Sequence, residues 1–299
     1  MRGMNGSDHR PQQPLLGALL KLSAVTLTAC MTGAAKFVGS TLPVGEVVFA
    51  RTGTALLVLL FIAWRAQALA TLSIRSWSPH IVRTSSGTLG MFTWFLALTR
   101  MPLADATALS YSTPVFATIF AAVAGERLHA PRWLALAAGF GGVLVMIVPR
   151  VSLTESSHLG VMFALASSLF AALSTMSVRH MGRTQSSLVI SFQFALPTTL
   201  AAASTAVWGW TMPDARLWLG LALVGLLGTG VSLLGTAALR RAEVSLIAPL
   251  EYAGMVAAVP LGYFLFGELP QPAIWVGAPL VIGAGLLILW SGYRRPPES

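Results

Sequence analysis

Charged side chains are scarce in this chain. They make up 10% of its 299 residues, where soluble domains carry about 25%. A soluble fold of this length covers its surface largely with charged and polar groups, so the scarcity argues against one. Hydrophobic residues make up 55% of the chain, and the mean hydropathy is +0.74. The composition therefore predicts a protein embedded in a membrane.

Cysteine and catalytic motifs are also scarce. Cys30 is the only cysteine, which excludes an intrachain disulfide and leaves the redox compartment open. The sequence has no His-Glu-x-x-His motif, no phosphate-binding loop and no dinucleotide fingerprint in a strand–turn–helix setting. Its five histidines fall in predicted loops or at the ends of predicted spans. We therefore predict that the protein is not an enzyme and has no site for a cofactor or a metal ion.

Long apolar runs are what the chain has in abundance. A helix needs about 20 mostly apolar residues to cross a bilayer, and ten runs come near that length. We predict an all-α integral membrane protein with ten transmembrane helices, five in each half. The runs lie near residues 14–38, 43–64, 79–99, 104–124, 132–149, 159–179, 186–207, 216–239, 244–266 and 272–292.

The two halves repeat one another. Five spans per half is an odd number, so equivalent loops lie on opposite sides of the membrane and the repeat is inverted. The loop after Glu126 carries two arginines, whereas its counterpart after Glu268 carries none, as an inversion requires. Inverted repeats are typical of secondary transporters. The matched positions are Gly17, Lys36 and Gly39 with Gly160, Arg179 and Gly182, and Gly125-Glu126 with Gly267-Glu268.

The boundaries and orientation follow from the same pattern. We predict a first five-helix repeat over residues 14–149 and a second over 159–292, with tails at 1–13 and 293–299. With the N-terminus in the cytoplasm, most of the nineteen Lys and Arg residues lie at the inner face. Both tails are then cytoplasmic. The net charge of +9 is explained by this topology, so the expected partners are a small-molecule substrate and membrane lipid and not nucleic acid; a homodimer is an open alternative.

The whole chain resembles the EamA type of the drug/metabolite transporter superfamily, which has two five-span halves and a Gly-Glu before the last helix of each. A tighter pattern is similar to family members that take up S-adenosylmethionine and riboflavin. It comprises Lys36-Phe37-Val38-Gly39, Glu46-x-x-Phe49-x-Arg51, His80-x-x-Arg83 followed by Gly87, Tyr111-x-x-Pro114 and Pro249-Leu250-Glu251-Tyr252.

The resemblance implies a function as well as a fold. It implies a central cavity formed largely by the first four helices of each half, and alternating access in a bacterial inner membrane. The substrate class that it favours is a vitamin or cofactor such as riboflavin, taken up by the cell. The alternatives are export of amino acids or toxic metabolites and carriage of S-adenosylmethionine. Outside the carriers, a membrane-embedded transferase and a channel stay open.

Ionisable residues within the spans are the first candidates for a binding site, because a charge near the bilayer centre costs about 2.5–3.5 kcal/mol on insertion scales. Arg51 lies about eight residues into the second predicted span, and Glu251 lies at a similar depth in the ninth. Each is expected either to contact substrate or to pair with the other. The structural alternative is a buried ion pair that fixes helix register.

Three further charged residues are expected at gates or in ion pairs. Lys36 and Glu46 flank the short connection between the first two spans, and we favour a pair between them at the level of the lipid headgroups. Arg83 lies about one turn inside the third span, and we favour a side chain that extends to the membrane interface. Glu268 belongs to the repeated Gly-Glu turn, for which a structural role is expected.

Aromatic residues near the middle of the spans are expected to shape the cavity. Trp94, Tyr111 and Tyr252 are suited to stack on a planar ring substrate, with Arg51 or Glu251 fixing its polar edge. For any one of them, packing against lipid or a neighbouring helix is the alternative. Pro114 is expected to break its helix beside the cavity and to free carbonyl groups there.

Small residues in the fifth and tenth spans are expected to let these two helices approach closely. Gly141 and Gly283 occupy matched positions of the repeat. We therefore predict that this glycine pair lies in the contact between the two helices.

Overall fold

The fold is entirely helical in the described part of the chain. The computed structural model describes residues 14–67, 69, 77–123, 130–151, 155–181, 187–239, 250–251 and 253–293, and no β-strand occurs among them. This confirms the predicted all-α class. The helices are α1 (Pro14–Gly39), α2 (Val44–Arg65), α3 (Trp77–Leu98), α4 (Leu103–Ser110), α5 (Thr113–Val123), α6 (Ala130–Val151), α7 (Glu155–Met181), α8 (Ser187–Ser204), α9 (Ala215–Leu239), α10 (Ala253–Phe266) and α11 (Ile274–Tyr293).

Among the residues that the structure describes, five helical stretches are long and apolar enough to cross a membrane by length and composition. They are Leu15–Gly39, Val44–Arg65, His158–Val178, Leu188–Trp208 and Ala215–Gly235. Shorter apolar stretches lie in α6, α10 and α11. α3 is as long as α2, but its Arg83 and its many hydroxyl side chains make it more polar.

The fourth predicted span is interrupted, as Pro114 led us to expect. α4 ends at Ser110 and α5 begins at Thr113, with Tyr111 and Ser112 in a turn between them. Pro114 has no N–H to offer the carbonyl of Ser110 four residues earlier, and this carbonyl accepts from the Thr113 hydroxyl over 2.8 Å instead. The hydroxyl of Ser168 from α7 donates to the neighbouring carbonyl of Leu109 over 3.2 Å. A broken helix is tolerated in a membrane when such partners exist.

The helices pack in a pattern that relates the two halves. α3 lies along α7, and α1 lies along α9. Exchanging the halves turns the first of these contacts into the second. α2 packs on its own counterpart α8, and α6 packs on its counterpart α11. Exchanging each helix with its counterpart in the other half therefore gives the same helix contacts again. This is expected for two repeats related by a pseudo-twofold axis.

The prediction of a Gly141–Gly283 contact is wrong. A Cβ built on either residue has no atom within 4 Å. The close approach of α6 and α11 occurs at Gly142 and Gly277 instead, because a Cβ on Gly142 would lie 2.7 Å from the carbonyl oxygen of Gly277. Neighbouring residues of a helix point in directions about 100° apart. A match in the repeat therefore does not reveal which of two adjacent glycines faces the partner helix.

Candidate functional site

A large cavity lies between the two halves. It has a volume of about 700 Å³ and is lined by residues of α1, α2 and α3 from the first half and of α7, α8 and α9 from the second. Arg51 and Arg83 both line it, so we name it the arginine cavity. Its walls run from the middle of α2, α7 and α9 toward the C-terminal parts of these helices. Trp94 and Phe95 of α3 supply aromatic surface.

Arg51 projects from α2 into this cavity, and no carboxylate in the described part of the chain pairs with it. Its Nε lies 3.4 Å from the sulfur of Met31, and its Nη1 lies 3.5 Å from the sulfur of Met91. A thioether sulfur is only a weak acceptor, so these contacts leave most of the donor capacity of the guanidinium unused. A Cβ on Gly228 of α9 would lie 3.2 Å from the Arg51 Cγ and Nε. The glycine thus makes room for the arginine.

Arg83 also faces the arginine cavity, so the interpretation that its side chain extends to the membrane interface is wrong. Its guanidinium carbon lies 4.1 Å from the centroid of the Phe194 ring of α8, in a cation–π contact. A Cβ on Gly87 would overlap both the Arg83 guanidinium and the Phe194 ring. The spacing of Arg83 and Gly87 in the sequence therefore has a packing reason: the glycine one turn later leaves space for the stacked pair.

A second cavity of about 380 Å³ lies beside the first, and Trp94 lines both. We name it the tyrosine cavity after Tyr111, which lies at the break between α4 and α5. The Tyr111 hydroxyl donates to the backbone carbonyl of Glu251 over 3.3 Å. Lys21 and Glu251 also line this cavity, and they form an ion pair with 2.5 Å between the lysine Nζ and the carboxylate Oε1.

The predicted binding residues therefore fall into two groups joined by one tryptophan. Arg51 lies in the arginine cavity, Tyr111 and Glu251 lie in the tyrosine cavity, and Trp94 borders both. The expected pair between Arg51 and Glu251 does not form, since Glu251 is held by Lys21. Tyr252 lies outside the described residues. Sequence reasoning missed Lys21, because a lysine near the start of a first span looks like an orientation signal.

A partly buried ion pair lies at the opposite end of the bundle. The Lys36 Nζ lies 2.5 Å from the Glu268 Oε1 and donates to the Met101 carbonyl over 2.6 Å. The other oxygen of Glu268 accepts from the backbone N–H of Leu103 over 3.0 Å, which caps the first turn of α4. We call this region, with the tilted ring pair of Phe49 and Trp210 at 5.1 Å, the sealed end.

The expected pair between Lys36 and Glu46 is therefore wrong. Lys36 is paired with Glu268. Glu46 is buried, with 6% of its surface exposed, and accepts a hydrogen bond from the backbone of Thr211. Proximity in the sequence suggested the wrong partner, because α10 and its following turn bring Glu268 to the end of α1.

The Gly-Glu turn has the structural role that its repetition suggested. Gly267 ends α10 with a φ of 65°, a left-handed conformation that favours glycine. Its N–H bonds back to the carbonyl of Tyr263 over 2.9 Å. The turn directs Glu268 toward α1 and α4. Its counterpart Glu126 lies outside the described residues.

Nothing in the described part of the chain forms a metal centre, since no group of three or more His, Cys, Asp and Glu side chains comes together there. A helical bundle built from an internal repeat, with long apolar helices around a cavity that contains two arginines, is the architecture of a multi-pass membrane transporter for small molecules. The chain belongs to the EamA-like transporter family, whose sequence pattern matches residues 15–148 and again residues 158–290. This membership indicates a transporter rather than an enzyme.

Characterised relatives cover most of the chain. The pseudopaline exporter CntI of Pseudomonas aeruginosa is 31% identical over 277 residues, which are 90% of this chain and 94% of the relative. An S-adenosylmethionine uptake transporter of Rickettsia conorii is 30% identical over 261 residues, 86% of each chain. A riboflavin transporter of Brucella anthropi is 29% identical over 218 residues, 70% of this chain and 75% of the relative.

A solved crystal structure shares the fold. It superimposes with a TM-score of 0.63 over 93% of this chain and 98% of that chain, at 20% sequence identity. At this identity the likeness concerns the fold alone. The substrate therefore has to be argued from the cavities of this chain.

Proposed function

We propose that the chain is a secondary carrier that moves a small organic metabolite across a bacterial inner membrane by alternating access. Ten spans, inverted halves and cytoplasmic termini belong to this proposal. The observation that carries it is the asymmetry along the bundle axis. Two cavities lie between the repeats, whereas the Lys36–Glu268 ion pair and the Phe49–Trp210 ring contact lie at the sealed end.

With cytoplasmic termini, the sealed end faces the outside of the cell, and the structure corresponds to an inward-facing state. The pseudo-twofold packing supports an exchange in which the halves swap roles and the closure moves to the other side. In that exchange, Lys36 and Glu268 act as the outer gate.

For the substrate, we propose uptake of a vitamin or cofactor, with riboflavin as the first candidate. Its planar ring suits Trp94 and Tyr111, and Arg51 or Glu251 fixes its polar edge. The relatives include one exporter and two carriers of cofactor-sized compounds, so export of amino acids or toxic metabolites and carriage of S-adenosylmethionine are the second candidates.

The first test is uptake of labelled riboflavin by cells that cannot synthesise it, with and without this chain. We expect saturable uptake that Arg51→Gln or Glu251→Gln reduces at least about tenfold, because each change removes a charged contact to the bound substrate. Amounts of protein in the membrane serve as the control. No uptake by a chain that is present in the membrane rejects riboflavin import.

Purified protein in liposomes separates a carrier from the other classes. A carrier shows saturable flux that is accelerated by unlabelled substrate on the far side. A channel shows linear flux without exchange, and a transferase consumes an added donor without net transport. Either of the last two results rejects the carrier.

Arg51 is expected to be important for transport and unfavourable for stability. Arg51→Met removes a charge that no described carboxylate compensates, and it fills the space between Met31 and Met91 with a similar side chain. We expect the free energy of unfolding in detergent to be unchanged or about 1 kcal/mol higher, while transport is lost. Destabilisation by more than about 1 kcal/mol contradicts this assignment and indicates a structural role.

A further inference from the structure

We propose that the arginine cavity binds an organic anion, with a carboxylate or phosphate group held between Arg51 and Arg83. The remainder of the ligand lies against the apolar wall that Trp94 and Phe95 form. The proposal rests on the carrier function but not on riboflavin as the substrate: it favours a cofactor or metabolite that carries a carboxylate or phosphate group, which riboflavin lacks.

The charges of the cavity carry the argument. Among the lining residues, Arg51 and Arg83 are cationic and none is acidic. Arg51 contacts two methionine sulfurs, and Arg83 stacks on Phe194 while its buried Nε makes no hydrogen bond. Charges taken out of bulk water in proteins are normally paired. Two guanidinium groups face one cavity, and no counter-ion lies among its described lining residues. This indicates that the counter-ion belongs to the ligand.

The neighbouring lysines show that this arrangement is not a general property of the bundle. Lys21 is paired with Glu251 and Lys36 is paired with Glu268, each at 2.5 Å. Glu251 and Glu268 are thus paired with lysines, and no described carboxylate lines the arginine cavity, so the two arginines keep their donors. A guanidinium offers a planar fork of donors that matches a carboxylate or a phosphate with two parallel bonds, which an ammonium group does not.

The packing around Arg51 and Arg83 is shaped to accommodate their side chains at the cavity. Gly228 leaves room for Arg51, and Gly87 leaves room for the stack of Arg83 on Phe194. The volume of about 700 Å³ lies within the range of small-molecule sites. It is large enough for a ring system as well as an anionic group.

The test uses pairs of compounds that differ only in the anionic group. The pairs are riboflavin 5′-phosphate with riboflavin, S-adenosylmethionine with its methyl ester, and tryptophan with tryptophanamide. Binding to the purified full-length chain is measured by calorimetry. We expect the anionic member of at least one pair to bind about tenfold or more tightly than its partner, because each lost charged contact lowers affinity by at least that factor.

Variants of the two arginines test whether these residues cause the preference for the anionic ligand. Arg51→Gln and Arg83→Gln should each bring the affinity ratio of that pair close to one. Arg100→Gln is the matched control, since Arg100 also lies over a phenylalanine ring, that of Phe163 at 5.7 Å, but is exposed and outside the cavity. It should leave the ratio unchanged. Arg51→Lys and Arg83→Lys keep the charge and should retain part of the preference.

Three outcomes overturn the proposal: equal binding within every pair, no binding by any anionic member, or a preference that survives in the double variant Arg51→Gln/Arg83→Gln. Inorganic phosphate is the last probe, and it must bind at least about tenfold more weakly than the organic anion, since it gains nothing from the apolar wall. Equal binding of phosphate rejects an organic ligand. Flux in liposomes is measured separately. Anion-selective binding without flux would reject the proposed carrier function, but it would support the anion-binding site.

Discussion

Lys36→Met is expected to lower the free energy of unfolding by about 3 kcal/mol, because it leaves Glu268 without its charged partner inside the sealed end. The Lys36 side chain is 11% exposed and that of Glu268 is 24% exposed, so water replaces the lost contact poorly. The lysine also donates to the Met101 carbonyl, which loses its partner as well. Equilibrium unfolding in mixed detergent micelles measures the effect.

A matched control exists at the other ion pair. Lys21→Met breaks the pair with Glu251, whose side chain is 61% exposed, and we expect a loss below about 1 kcal/mol. If Lys36→Met lowers the free energy of unfolding no more than Lys21→Met does, the Lys36–Glu268 ion pair does not stabilise the sealed end.

Reversal of the Lys36–Glu268 pair should not restore stability. In Lys36→Glu/Glu268→Lys, the new carboxylate would face the Met101 carbonyl, and the new ammonium group would face the Leu103 N–H. Both backbone contacts would then be repulsive. In contrast, Lys36→Met/Glu268→Gln keeps an acceptor for Leu103 and leaves no unpaired charge, so it should recover most of the loss.

The helices were largely predictable from the sequence, and the partners of the charged residues were not. Apolar runs located α1, α2 and α9 to within a few residues, and Pro114 indicated the break between α4 and α5. These features depend on local hydrophobicity and backbone chemistry. Lys36 was assigned to the nearest carboxylate in the sequence, Glu46, because spacing along the chain carries no information about which helix lies opposite.

The candidate site was predictable in composition but not in arrangement. Arg51 was identified because a charge within a span costs free energy in the bilayer. Trp94 was identified because it is a large aromatic side chain near the middle of a span. Glu251 lies in the other cavity, where it pairs with Lys21 and not with Arg51. Met31, Met91 and Phe194 were missed, since apolar residues in a membrane helix give no sign that they contact a guanidinium group. Only the packed structure supplies this information.

Adjacent glycines of α6 are expected to respond to alanine with opposite signs. Gly142→Ala places a methyl group 2.7 Å from the Gly277 carbonyl oxygen and 2.9 Å from Val281, a residue with no exposed surface. Backbone cannot yield as a flexible side chain does, so α6 and α11 have to separate. We expect a loss of about 1–3 kcal/mol in the free energy of unfolding, and a similar loss for Gly277→Ala, whose methyl group would meet the Gly142 carbonyl at 2.6 Å.

The controls are Gly141→Ala and Gly283→Ala, where the added methyl group has nothing within 4 Å. A glycine inside a helix destabilises it by about 0.5–1 kcal/mol relative to alanine, so both controls should be neutral or stabilising. Neither α6 nor α11 lines either cavity in the described part of the chain, and ligand affinity should not change in any of the four variants that fold. A loss of stability at Gly141 equal to that at Gly142 would show that the contact between α6 and α11 uses the other face of the helix. The difference between the two neighbours thus tests the rotation of α6, which the repeat in the sequence leaves undetermined.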